Sequence, residues 1–447
     1  MTKRFNFQRL FLLMSAAGII GFTNTVTAAG FQLWEQDGAS IGNYHAGRAA
    51  SAEDASTAYY NPAGLIKIHN QQIVAALDPI MTDIDFRGTV GVSTAGIGTI
   101  GPQPVVAQGG NFALIPAFHY AAPINNRLVF GLSLVAPFGL KTSYGSSTFA
   151  RYAATLTSLQ VADLSPSLGF AVNDKLSLGA GFDFEHVRGE FDANAGNPIL
   201  NTVFGTNMES TSQNVGTSNG YGYHLGILYQ FTEQTRVGLA YISQIRHHLR
   251  GSSKFVGPLA NNLAGGYQSS GQLKTDVTLP GTATLSIFHM INPAWDFLGS
   301  LSYTQWNVFE NLVLRNVSGL SGGASSNTIV AVIPESYRNT WNLSLGGNYH
   351  ASEQFMFRGA LGFDQSPTNN KYRNLQLPDS DRIVFALGGH YQHTNTLGFD
   401  LGWTHYLAMN SRINNLSQSL GDQTTVTSGS VQLSADVIGV QVKWDIV

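Results

Sequence analysis

Large apolar side chains recur at every second position through most of this chain. Leu397, Phe399, Leu401 and Trp403 alternate with Gly398, Asp400, Gly402 and Thr404. Leu176, Leu178, Ala180, Phe182 and Phe184 alternate with Ser177, Gly179, Gly181 and Asp183. The same pattern runs through Tyr221–Tyr229, Trp341–Leu345 and Phe355–Phe363. Successive side chains of a strand point to opposite faces, so each segment has one greasy face and one polar or tiny face. About 14 such segments begin near Gln71, Asn111, Arg127, Ser158, Lys175, Asn219, Thr235, Gly271, Ala294, Arg338, Glu353, Arg382, Thr396 and Thr425. The pattern predicts an all-β protein.

The connections alternate in length. Short ones are Pro123–Asn126, Asn173–Asp174, Thr232–Gln234, Ile291–Pro293, Ala351–Ser352 and His393–Asn395. Long Gly/Ser/Asn-rich ones are expected near 88–110, 140–157, 190–218, 250–270, 316–337, 366–381 and 409–424. Periodicity alone permits a soluble sandwich. Short turns at one end and long loops at the other suit an antiparallel transmembrane β-barrel of about 14 strands, greasy face to lipid.

Composition decides between them. Charged residues are 11% of the 447, where a soluble domain carries roughly 25%. Lys plus Arg number 24 against 27 Asp plus Glu, a balance that gives no footing for nucleic-acid binding. Lys3, Arg4 and Arg9 precede an apolar run, Leu10–Phe22, and the small residues Val26-Thr27-Ala28. That is the pattern of a secretory signal peptide over 1–28, the run being too short to span a bilayer. An exported, charge-poor chain with no long apolar segment reads as a barrel in the outer membrane of a Gram-negative bacterium. The absence of cysteine excludes thiolate metal sites and a cysteine nucleophile.

Residues 29–70 precede the first barrel strand, with 71–447 forming the barrel. The stretch is rich in small residues, carries Phe31, Leu33, Trp34, Tyr59 and Tyr60, and includes a capping-box-like Ser51-Ala52-Glu53-Asp54. It is expected to pack inside the lumen as a hatch.

Several motifs together resemble the FadL-type (OmpP1/FadL/TodX) outer-membrane transporters of long-chain fatty acids. They are Ala29-Gly30-Phe31-Gln32-Leu33, Gly47-Arg48-Ala49, Asn61-Pro62-Ala63, Tyr303–Phe309, Phe357–Pro367 and Leu377–Arg382. The resemblance runs from residue 29 nearly to the end. It implies a 14-stranded barrel plugged by a hatch that includes Asn61, Pro62 and Ala63. It implies uptake of a hydrophobic ligand by capture in a loop groove, passage to a lumen pocket, hatch rearrangement and sideways exit at a kinked third strand. Pro137, Phe138 and Gly139 fall at that kink; proline lacks a ladder N–H and glycine permits a bend. The groove loops would contribute Ile199, Leu200, Val203 and Phe204, and Phe255, Val256, Leu259 and Leu263. Arg188 aligns with a basic residue that holds the carboxylate, although parity from Phe182 and Phe184 places it outward, so the role requires a bulge. A second basic position is Val313 here, with Arg315 on the same face as its substitute.

Gly96–Gly101 matches a dinucleotide fingerprint, but Pro102 and Pro104 forbid the helix it needs. Gly216–Gly220 and Gly319–Gly323 match G-x-S-x-G without the strand-to-helix elbow of a hydrolase. His247-His248 point to opposite faces and cannot readily share a metal. The expectation is a transporter, not an enzyme, with no metal or cofactor. Its partners are a long-chain fatty acid or other hydrophobic small molecule, outer-membrane lipids and the barrel assembly machinery, with no nucleic acid. The rival readings are an aromatic-hydrocarbon importer of the same family, a general diffusion porin and a barrel phospholipase.

Overall fold

The computed structural model describes residues 30–321, 323–409 and 411–446; the signal peptide expected over 1–28 lies outside them. The alternating segments form fourteen antiparallel strands, several of them in two pieces. They are Gln71–Thr94; Gly98–Gln108 with Phe112–Asn125; Leu128–Val135 with Gly139–Ser143; Leu156–Ala171; Leu176–Ala195; Ser210–Gln230; and Thr235–Ile242 with Ile245–Val256. The eighth to fourteenth are Tyr267–Leu279 with Thr282–Asn292; Trp295–Thr304 with Asn311–Ser321; Ala324–Pro334 with Thr340–His350; Phe355–Asp364; Arg382–Gln392; Leu397–Ala408 with Ser411–Leu420; and Gln423–Ile446. The fourteenth pairs with the first from Gln71↔Ile446 to Thr94↔Gln423, which closes the barrel. Closure leaves no terminal edge strand, the condition for crossing lipid with strands.

Parity follows the sequence pattern. Phe182, Tyr221, Leu361 and Leu401 stand on the outside, each at least 60% exposed. Ser286, Ser300, Thr404 and Gln441 face inward and are buried. The long connections differ from expectation. Most of 88–110, 190–218, 250–270, 316–337 and 409–424 is strand that continues the ladder beyond the greasy belt. There both faces can be polar, so the apolar alternation fades while the backbone hydrogen bonds persist. Within 190–218 the chain leaves the ladder around a short helix, Pro198–Phe204, and within 250–270 around Ala260–Leu263.

Residues 30–70 thread the interior and bond to strands all round it. Gly38 N–H donates to Gln441 Oε1 (3.1 Å), Gly47 N–H to Ser300 Oγ (2.9 Å) and Ala49 N–H to Ser286 Oγ (3.2 Å). Thr404 Oγ1 donates to Ile41 O (2.6 Å), and Ser167 Oγ to Ala58 O (3.2 Å). Two wall glycines permit this contact. A Cβ on Gly238 would lie 1.7 Å from Ala49 O, and one on Gly226 1.9 Å from Asn61 Oδ1. Gly238→Val is therefore expected to displace the inner segment. Planar-bilayer recordings should show a clear rise in steady ion conductance over wild type; unchanged conductance would mean that residues 47–64 do not block the lumen.

Candidate functional site

The third strand leaves the wall at Ala136-Pro137-Phe138 and resumes at Gly139. Its lower part pairs with the second strand only as far up as Phe118↔Leu134. Its upper part pairs with the fourth strand alone, from Gly139↔Gln160 to Ser143↔Leu156. The ladder between second and third strands is thus open along the break, until Ser143 N–H reaches Gly109 O (3.2 Å) above it.

The chain's own start supplies the missing partners. Leu33 N–H donates to Pro137 O (2.8 Å), Gly139 N–H donates to Phe31 O (2.8 Å), and Gln32 and Phe138 form an isolated bridge between them. Gln36 completes the strap: its Nε2 donates to Ala136 O (2.9 Å) and its Oε1 accepts from Ala136 N–H (3.0 Å). Gly30 N–H is held by Asp379 Oδ2 (2.9 Å). Buried backbone groups need partners, and at this break the strap provides them.

Phe31 sits at the centre of a ring cluster. Its centroid is 4.7 Å from Trp306, 5.4 Å from Phe309 and 6.0 Å from Phe138, all edge-on, and Tyr337 packs 5.1 Å from Phe309. Offset and edge-on ring pairs add about 0.5–1.5 kcal/mol beyond burial. From this cluster one buried apolar tract rises through Leu273, Leu314 and Val317 to Phe255, Leu259 and Met208 beneath the outer loops. A cavity of about 40 Å³ opens beside it, lined by Phe191, Leu314, Ile333 and Leu420 among apolar groups and by Asp192, Asn214 and Gln376 among polar ones.

The residues read from the sequence divide. Leu200, Phe255 and Leu259 join the apolar tract. Ile199 is half-buried, while Val203, Phe204 and Leu263 are exposed and Val256 points outward. Asn61 is buried; its Nδ2 donates to Ala49 O (2.6 Å) and Ile227 O (3.1 Å), and its Oδ1 accepts from Ala63 N–H (3.1 Å). Pro62 and Ala63 begin the short helical turn Pro62–Lys67.

The two cations expected at the carboxylate are corrected. The register from Glu185 to Asp192 runs without a bulge, so Arg188 stays on the outward face with Phe184 and bonds Glu190 there (2.8 Å). Arg315 is likewise outward and exposed, on the opposite face from Leu312 and Leu314. In the upper lumen Arg151 is committed to Glu209 (2.6 Å). In the segment threading the interior, Arg48 lies over the rings of Trp34 (4.4 Å) and Tyr60 (5.1 Å). Its neighbours titrate unusually: burial and then Asp54 push Asp37 up to about 6, while burial and then Arg48 hold His45 well below its ordinary range.

Sequence reasoning passed over Trp306, Tyr337, Leu273 and Leu314 as lining. The available signal was parity: above the lipid belt, Leu273, Val277, Leu312 and Leu314 move the apolar set to the inward face.

The same barrel fold is found among known proteins. The sequence profile of an outer membrane protein transport family (OMPP1/FadL/TodX) matches residues 19–445. A long-chain fatty acid transport protein of Salmonella typhi is 27% identical, over 87% of this chain and 89% of its own length. Outer membrane protein P1 of Haemophilus influenzae is 26% identical over 95% of both. Among solved structures, a Pseudomonas aeruginosa FadL homologue superposes with TM-score 0.78 at 24% identity, covering 93% of this chain and 100% of its own. The toluene transporter TodX of Pseudomonas putida superposes with TM-score 0.62 at 15% identity, covering 92% and 98%.

Proposed function

The chain belongs to the outer membrane protein transport family (OMPP1/FadL/TodX), and from that premise we propose that it imports long-chain fatty acids. The coarser statement needs no proposal: this is an outer-membrane transporter of hydrophobic compounds, not an enzyme. The observation that carries the finer reading is the buried apolar tract that ends at the strapped break in the third strand.

The ligand is captured beneath the turns at 198–204 and 257–266, where Leu200 and Leu259 meet the tract. It descends along Leu273 and Leu314 to the ring cluster at Phe31. The strap, Gly30–Gln36, then shifts with the rest of the hatch, including Asn61-Pro62-Ala63. The acyl chain leaves sideways between the second and third strands, past Pro137–Gly139. A sideways exit keeps the chain out of water, which about 0.8 kcal/mol per CH₂ otherwise opposes.

A second reading, import of aromatic hydrocarbons, has its own support. Neither Arg188 nor Arg315 faces the lumen, and the five rings of the cluster suit a neutral aromatic. The test is binding of oleate and of toluene to detergent-purified protein, beside Leu314→Asp. Saturable oleate binding, weakened at least tenfold by the buried charge, is expected. Toluene binding without oleate binding would transfer the assignment to the second reading. No binding of either would overturn both readings of the ligand.

A further inference from the structure

The cations that do not face the lumen form a pattern of their own. Cross-strand register places Arg188 opposite Thr217, Thr217 opposite Arg250, Arg250 opposite Lys274 and Lys274 opposite Arg315. All lie on the outward face of the fifth to ninth strands. Four cations therefore stand in register along a row of five strands, about 19 Å long at ~4.8 Å per strand, which on strands tilted by ~45° rises roughly 13–14 Å from Arg188 to Arg315. Lys254, four residues above Arg250, and Arg246, four below, share that face.

Like charges directly opposite one another destabilise a sheet. Here Lys274 faces Arg250 on one side and Arg315 on the other. Nearby carboxylates do not relieve this: Glu190 bonds Arg188 (2.8 Å) and Asp276 bonds His248 (2.5 Å). Among the described residues no carboxylate lies within ion-pair distance of Arg250, Lys274 or Arg315. An arrangement that repels itself when bare calls for an external anion.

The position says which one. Four residues below the row on the fifth and sixth strands stand Phe184 and Tyr221, 46% and 72% exposed, with their rings edge-on at 5.8 Å. Such outward aromatics mark the edge of the lipid belt. Four residues along a strand tilted by ~45° raise Arg188, the low end of the row, roughly 9–10 Å above them at ~3.4 Å per residue. That is the headgroup layer of the outer leaflet, and the rest of the row climbs outward from it. Arginine's planar fork matches phosphate oxygens.

We propose that the outward row Arg188–Arg250–Lys274–Arg315 binds the phosphate groups of the outer-leaflet glycolipid. The row neutralises the lipid's charge while the aromatics below it hold its acyl chains, so the lipid becomes a fixed neighbour of the fifth to ninth strands. The inference rests on the outer-membrane location and stands whichever ligand the lumen carries.

The test is retention of lipid A by detergent-purified protein, with three probes: diphosphorylated lipid A, the same lipid stripped of phosphate, and inorganic phosphate. Wild type should retain the phosphorylated lipid at least tenfold more tightly than the stripped one. Arg250→Gln with Lys274→Gln should abolish that preference, Lys274→Gln alone should weaken it, and both variants should bind oleate as wild type does, which reports an intact barrel. Equal retention of the two lipids by wild type would overturn the proposal, as would an undiminished preference in the double variant. Displacement of the lipid by inorganic phosphate at matching concentration would also overturn it, since the site would then serve a free anion.

Discussion

Arg382→Met is expected to cost the folded barrel about 3–5 kcal/mol, the usual penalty for removing one partner of a buried ion pair. Arg382 begins the twelfth strand and is fully buried. Its Nη2 lies 2.9 Å from Asp364 Oδ2 and 3.5 Å from Asp379 Oδ1, and its guanidinium sits 5.4 Å from the Tyr406 ring centroid. Both carboxylates are buried as completely as the cation. Without it, two negative charges share a site that water does not reach, and desolvation falls on both at once. The effect extends to the strap, because Asp379 Oδ2 also accepts from Gly30 N–H and from Ser366 Oγ (2.7 Å). Arg382→Lys should recover part of the loss, since it restores the charge without the planar fork. Urea unfolding in vesicles, followed by tryptophan fluorescence, measures the difference. A loss below about 1 kcal/mol would mean that the two carboxylates are hydrated and the pair is no more than a surface salt bridge.

What could be read from the sequence was whatever depends on one strand at a time. Alternation through Leu176–Phe184 and Leu397–Trp403 identifies wall strands because each residue's face follows from its neighbours. Pro137 marks the break because a missing N–H is a local fact. The role of Arg188 was harder. Its parity already pointed outward, and only a bulge could have turned it inward; whether one exists depends on the pairing with Gln160 and Thr217 on neighbouring strands. The cation row is less legible still, since Arg188, Arg250, Lys274 and Arg315 are far apart in sequence and meet only through register. The upper strands read as loops in the sequence because Ser, Thr, Asn and Gly dominate them, and composition cannot tell a polar loop from a ladder in water. Trp306 and Tyr337 lie in the irregular breaks of the ninth and tenth strands, where no periodicity announces a face.

Joining position 32 to position 138 by a disulfide is expected to stop uptake. The strap is held by the backbone bonds Leu33–Pro137 and Gly139–Phe31 and by the Gln36 side chain. At roughly 0.5–1.5 kcal/mol net for each hydrogen bond, the total is a few kcal/mol, which a ligand entering the ring cluster can offset. A covalent bond cannot be offset in this way. The geometry is suitable: the two backbone bonds flank the Gln32–Phe138 pair, which makes it the narrow, non-hydrogen-bonded kind with Cα atoms about 4.5 Å apart, inside the range a disulfide spans. The chain has no cysteine of its own, so Gln32→Cys with Phe138→Cys leaves no competing pairing within the molecule. Oxidised protein should import oleate at least tenfold more slowly than the same protein after reduction. Each single variant serves as the control for the lost side chain, since Phe138 belongs to the ring cluster and Gln32 bonds Thr282 and Thr304. If the oxidised and reduced forms import equally well, the strap does not have to leave the break, and a route out between the second and third strands is ruled out.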